Sequence, residues 1–146
     1  MFAKQLTVFI ENRTGRLSEV LNVLKENNVN IISMSLADTT EFGLLRLIVD
    51  NASLGKEKLL ENGFSSVLSY VSIIKIQHKA GSLQILLKAI DDNGVSIEYM
   101  YGLTIEGADA YVVLKASDTN KIDEILTENN IETIDCDELA KMHLWL

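Results

Sequence analysis

The sequence predicts an α+β chain in which one βαββαβ unit, with an antiparallel sheet, is written twice. Three observations carry this. First, positions recur at a fixed spacing. Gly15 in Thr14-Gly15-Arg16-Leu17 and Gly81 in Ala80-Gly81-Ser82-Leu83 lie 66 residues apart, as do Val29-Asn30-Ile31 and Val95-Ser96-Ile97, and Met34 and Met100. A constant offset across a whole helical stretch marks a tandem repeat. Second, the hydrophobic period switches between strand-like and helix-like in the same order in each copy. Third, residues 66–78 form one long β-rich run that closes the first copy and opens the second, so the copies share a near-continuous central strand region.

The elements follow in chain order. Gln5 to Ile10 is β-branched and apolar, a strand's composition. A polar loop containing Gly15 leads into a helix, because Leu17, Val20, Leu21 and Leu24 fall at helical spacing with Glu19, Asn22, Lys25 and Glu26 opposite. Asn27-Asn28 stops it, since asparagine tolerates the left-handed cap conformation. Ile31 to Ala37 and Leu44 to Asp50 read as a hairpin joined through Thr39-Thr40-Glu41-Phe42-Gly43. A second helix spans Lys56 to Asn62 after a cap at Ser53. The second copy repeats the stripe as Leu83, Leu86, Leu87 and Ile90, with a stop at Asn93-Gly94. Val95 to Tyr101, a turn at Glu106-Gly107, and Ala110 to Ala116 form its hairpin. A helix then runs from its cap Asp118 to Glu128, and Ile131 to Asp135 is the last strand. Leu139, Met142 and Trp145 predict that the tail, Asp137 to Leu146, packs down. The expected modules are residues 1–71 and residues 72–146 with the tail.

A sheet of this order carries both helices on one face and leaves the other bare. The strands here are apolar on both faces, so the modules are expected to hide those faces as an intimate pseudo-dimer. Dimerisation of the whole chain follows from the same reasoning. With 47% apolar and 23% charged residues, the 146-residue chain has an ordinary globular composition. It is long enough to bury roughly 70% of its unfolded surface.

The net charge of −8 argues against nucleic acid and acidic membrane surfaces, which are bound chiefly through Lys and Arg. No apolar run approaches the roughly 18 residues a membrane span needs. Met1-Phe2-Ala3-Lys4-Gln5 has no basic stretch followed by an apolar one, so no secretory signal is visible. Cys136 is the single cysteine, which rules out an intrachain disulfide and suits a reducing compartment. The expectation is a cytoplasmic protein.

The loop after the first strand, Glu11-Asn12-Arg13-Thr14-Gly15-Arg16-Leu17, is where chemistry is expected. Glycine permits a sharp turn that presents the first-turn N–H groups of the helix, which favour a carboxylate. Asn12 offers both donor and acceptor, suiting a zwitterion better than a phosphate. Against this, glycine serves any tight strand-to-helix turn, and Arg13 and Arg16 also read as solvated loop charges.

Ile10-Glu11-Asn12-Arg13-Thr14-Gly15-Arg16-Leu17, followed a helix later by Val29-Asn30-Ile31, resembles the ACT domain, an amino-acid-sensing module with a ferredoxin-like fold. The family's loop usually has proline where Thr14 stands. The second copy, Gln77-His78-Lys79-Ala80-Gly81-Ser82-Leu83 with Val95-Ser96-Ile97, is similar but more degraded. The resemblance covers residues 4 to about 137. It implies two ferredoxin-like modules and a free amino acid bound at a seam between modules. The implied contacts are Asn12, Thr14, Gly15, Arg16 and Leu17 with Asn30 and Ile31. A second set is His78, Ala80, Gly81, Ser82 and Leu83 with Ser96 and Ile97. His78 replaces Asn12 and Ser96 replaces Asn30, so the first loop is the expected ligand site.

Other residues carry weaker signals. His78 has no nucleophile near it in sequence, His143 lies in the tail, and two histidines do not make a metal site. Asp135-Cys136-Asp137-Glu138 reads as a solvated acidic strand end, and Cys136 lacks a CxxC partner. Met34 and Met100 read as core, and Tyr99 and Tyr101 as packing on one face of a strand. No catalytic residue, metal or cofactor is expected. The expected function is a stand-alone regulator that signals to a partner such as a metabolic enzyme, or through its oligomeric state. The alternatives are a small acylphosphatase-like enzyme using Arg13, Arg16 and Asn30, and an interaction module without a ligand.

Overall fold

The computed structural model describes residues 2–38, 41–103, 109–142, 145 and 146. Its elements are β1 (Ala3–Glu11), α1 (Arg16–Glu26), β2 (Ile31–Asp38), β3 (Phe42–Val49), α2 (Ala52–Glu61) and β4 (Ser66–Gln77). They continue with α3 (Ser82–Asp92), β5 (Ile97–Leu103), β6 (Asp109–Ala116), α4 (Thr119–Glu128), β7 (Thr133–Ile134) and α5 (Cys136–Ala140). The expected turn at Glu106-Gly107, the residues Thr39 and Thr40, and His143 lie outside the described residues.

The chain forms two compact units. Lys4–Ser69 with Cys136–Leu146 is one, here the first module; Tyr70–Asp135 with Met1–Ala3 is the other, the second module. The unbroken strand β4 passes from one to the other. The tail, expected with residues 72–146, packs instead in the first module: α5 lies against β3 and Leu139 is fully buried.

In the first module β3 lies between β2 and β1, all antiparallel, with Leu6 opposite Leu47, Glu11 opposite Phe42 and Asp38 opposite Gly43. Phe9 N–H donates to Ser65 O at 3.0 Å, which lays the entry to β4 beside β1. Alternation turns Leu6, Val8, Leu45, Leu47 and Val49 toward Val20 and Leu24 of α1 and Leu59 of α2. Burying each such side chain is worth about 1.5–3 kcal/mol. Gly55 lets α2 close on this core, since a Cβ there would stand 3.1 Å from Leu6 Cδ2 and 3.4 Å from Leu24 Cδ2. The helix begins earlier than the sequence predicts. Asn51, not Ser53, caps it by accepting from Leu54 N–H at 3.1 Å.

The second module repeats the plan. β6 lies between β5 and β4, and β7 pairs with β4. Lys75 N–H donates to Glu132 O at 3.0 Å, the same bond as Phe9 to Ser65. Its core contains Ile74, Leu86, Ile90, Val95, Leu114, Ile122 and Ile125. Each hairpin carries a bulge at the same place, between Ile31 and Ser33 and between Ile97 and Tyr99. β7 is shorter than the expected 131–135, because residues beyond Ile134 turn into α5.

All four long helices stop the same way. Asn27, Asn62, Asn93 and Asn129 each donate a side-chain N–H to the carbonyl four residues back at 2.8 Å. A left-handed residue follows each (Asn28, Gly63, Gly94, Asn130). The next N–H then returns to the last turn, as Val29 to Leu24 O at 2.9 Å and Ile131 to Leu126 O at 2.9 Å. These caps aim the following strand back along the sheet.

Candidate functional site

The first loop is built by backbone bonds that close it between β1 and α1. Arg13 N–H donates to Glu11 O at 2.8 Å, Arg16 N–H to Arg13 O at 3.4 Å, and Glu19 N–H to Gly15 O at 3.0 Å. Gly15 takes φ 89°, a conformation open to glycine, and supplies no capping side chain to α1. The N–H groups of Leu17 and Ser18 in the first turn therefore receive no capping side chain from Gly15.

Asn12 stands on the rim. Its Nδ2 donates to Asp38 Oδ1 at 3.1 Å, joining the loop to the end of β2. Glu11, Asn12, Arg13, Thr14 and Leu17 surround a hollow of about 360 Å³ whose floor includes Ile10, Leu36 and Gly43. Arg13 is the solvated charge the sequence allows, paired with Glu11 at 3.1 Å while both stay well exposed.

Arg16 is not a solvated loop charge. Its side chain is only 16% exposed, its Nη1 lies 2.6 Å from Glu19 Oε2, and its guanidinium stacks 4.3 Å over the Phe64 ring. Its Nε is buried without an acceptor. The cation–π contact holds the base of the loop rather than presenting a charge to solvent.

Asn30 and Ile31 are elsewhere. Asn30 donates to Asp50 twice, from its backbone N and from Nδ2, each at 2.9 Å, clamping the start of β2 to the end of β3. Ile31 pairs with Val49, whereas Asp38, beside Asn12, pairs with Gly43. At ~3.3 Å per strand residue the two ends of β2 are on the order of 20 Å apart. One module therefore brings Asn12, Thr14, Gly15, Arg16 and Leu17 together and leaves Asn30 and Ile31 at its far end.

The second loop has the same backbone. Lys79 N–H donates to Gln77 O at 2.7 Å, Ser82 N–H to Lys79 O at 3.1 Å, Ile85 N–H to Gly81 O at 3.0 Å, and Gly81 takes φ 88°. His78, Ala80, Gly81 and Leu83 are exposed and Ser82 half-buried. A hollow of about 580 Å³ is lined by His78, Gly81, Ser82, Leu83 and Leu87 among others. Ser96 and Ile97 again lie at the opposite end, where Ser96 N–H donates to Ser117 Oγ at 3.1 Å and Ile97 pairs with Ala116.

Three participants escaped the sequence reading: Asp38 beside Asn12, Phe64 beneath Arg16, and Leu146, whose N–H donates to Ile31 O at 2.7 Å. Each is remote in sequence from its partner, and no motif joins them. Only the apolar tail residues hinted at the third. Among the described residues, no group of three or more His, Cys, Asp or Glu is placed to hold a metal ion, and no helix is long and apolar enough to cross a membrane.

The fold has parallels among solved structures. Protein BT0572 from Bacteroides thetaiotaomicron superposes with a TM-score of 0.89 at 34% identity, over 95% of this chain and 96% of that one. The ligand-free regulatory subunit of aspartate kinase from Thermus thermophilus gives a TM-score of 0.60 at 16% identity, over 86% and 91%. That from Thermus flavus gives 0.59 at 13% identity, over 87% and 90%. At those identities the two subunits testify to the fold alone. No curated protein sequence matches significantly. The model of the ACT domain pair matches residues 1–143, and with the duplicated βαββαβ units and glycine loops it shows that this chain belongs to the ACT domain family.

Proposed function

We propose that this chain is a non-catalytic regulator that binds a free amino acid at its first loop. The observation that carries the reading is the hollow of about 360 Å³ there, lined by Asn12, Thr14 and Leu17 with Ile10, Leu36 and Gly43. The N–H groups at the start of α1, at Gly15 and Leu17, suit an α-carboxylate. Asp38 and the Asn12 amide oxygen suit an α-ammonium. Ile10, Leu17 and Leu36 suit an apolar portion of the side chain. Thr14 completes the rim, and Arg16, locked on Phe64, steadies the turn.

Asn30 and Ile31 join this site from another copy of the chain, in a dimer whose partner presents that end to the loop. The second loop keeps the backbone but has His78 where Asn12 stands, so Ala80, Gly81, Ser82 and Leu83, with Ser96 and Ile97, form an unlike site. Binding acts on the oligomeric state or on a partner enzyme, in the pattern of a regulatory subunit. A ligand does this only through different affinity for two arrangements, typically 1–3 kcal/mol.

The arrangement weighs against acylphosphatase-like chemistry. Arg13 is paired with Glu11, Arg16 with Glu19 and Phe64, and Asn30 lies at the far end of β2. Thermal shift against each of the twenty amino acids and an acyl phosphate tests the reading. One amino acid is expected to raise the melting temperature, with about 2.7 kcal/mol of stabilisation at a hundredfold excess over Kd. Acyl-phosphate turnover, or no response to any amino acid, would sink it.

A further inference from the structure

Ile31, which the amino-acid reading places among the ligand contacts, already has its carbonyl occupied in this chain. Among the described residues of the first module, β2 is the outer strand and pairs with β3 alone. Asn30 O accepts from Asp50 N–H on the β3 side at 3.1 Å, so the next carbonyl, Ile31 O, faces off the edge. Leu146 N–H fills that position at 2.7 Å. An ammonium and a backbone N–H are interchangeable donors to such an acceptor.

The tail is anchored through α5 and is partly exposed beyond it. α5 anchors it: Leu139 is fully buried, and Cys136 Sγ–H donates to Lys4 O at 3.4 Å. Farther on, Met142, Trp145 and Leu146 are 42%, 38% and 70% exposed.

We propose that the end of the tail is an internal competitor for the amino-acid site: docking of Leu146 on Ile31 and binding of ligand there exclude one another, and release of the tail is the structural consequence of binding. This rests on the amino-acid-binding reading above and adds its regulation. Because the contact is a backbone bond, Leu146→Pro deletes the donor while leaving the rest of the tail, and Leu146→Ala keeps it.

Trp145 is the only tryptophan in the chain, so its emission reports the tail. The experiment measures, by calorimetry and by Trp145 fluorescence, binding of each of the twenty amino acids to the full chain and both variants. The expected result is that one amino acid shifts Trp145 emission in the wild type. Leu146→Pro should bind it about three- to tenfold more tightly, the factor returned when a competing state is removed, and Leu146→Ala should match wild type. Binding with unchanged Trp145 emission and equal affinity in Leu146→Pro overturns the competition and leaves amino-acid binding standing. Weaker binding by Leu146→Pro also overturns it, making the tail part of the site. Binding by neither form overturns the underlying reading, and this one with it.

Discussion

At the first loop of each module the backbone makes one turn and the side chains make two different surfaces. Arg13 and Lys79 N–H reach back to Glu11 and Gln77, and Gly15 and Gly81 take φ of 89° and 88°. Yet Asn12 becomes His78, Arg16 becomes Ser82 and Glu19 becomes Ile85. Beneath them Phe64 becomes Ile131. Where Arg16 covers Phe64 in the first module, the second has a groove of about 610 Å³ lined by Ser82, Ile85, Ala89 and Ile131. The turn is set by glycine and main-chain bonds, which do not care what the exposed side chains are.

The cores differ by exchange rather than by loss. Leu6 packs against Gly55 in the first module; at the equivalent positions the second has Ser72 and Ile122. The large residue moves from strand to helix and the total volume is kept, a change cores tolerate. It leaves a trace, because the Ser72 hydroxyl is buried without a partner.

Four sets of substitutions press on this comparison. Leu24→Ala and Ile90→Ala remove equivalent, fully buried side chains, and each should cost about 2–5 kcal/mol in denaturant unfolding. A cost confined to one copy would break the equivalence of the cores. Gly55→Ile imports the second module's residue into the first and should destabilise by about 1–3 kcal/mol. Adding Leu6→Ser should recover part of that in a double-mutant cycle, and strict additivity would refute the exchange.

At the loops, Asn12→Ala should weaken amino-acid binding about tenfold, or ~1.4 kcal/mol, while His78→Ala leaves the same titration unchanged. Equal losses would show that the loops act alike. Smallest, Arg16→Ser gives the first loop the second's side chain and should cost about 0.5–1 kcal/mol of stability, measured by thermal unfolding. A melting temperature that does not move would mean the stacking on Phe64 contributes nothing.

Much of the scaffold was legible along the chain because its causes are local. The repeat, the strands, the helix faces and the Asn stops depend on residues within one turn or one strand of each other. The misses were also local competitions. Asn51 outbid Ser53 as the cap of α2 because its side chain reaches Leu54 N–H, and the tail's stripe gave no clue to which module would receive it. For the candidate site, the glycine loop and Asn12 could be read directly. That Asn30 and Ile31 stand at the other end of β2 was not apparent from their motif, since order along the sequence does not state the end of a strand at which a residue falls relative to a loop.

By itself the sequence determined a duplicated βαββαβ chain with two glycine turns of unlike side-chain content. Periodicity and turn chemistry are properties of neighbouring residues. Only the tertiary structure decided that Arg16 lies over Phe64, that Asn12 meets Asp38, and that Leu146 reaches Ile31. Those contacts join residues far apart in the chain. They form because strand register and helix packing bring the partners within bonding distance, and no local pattern carries that information.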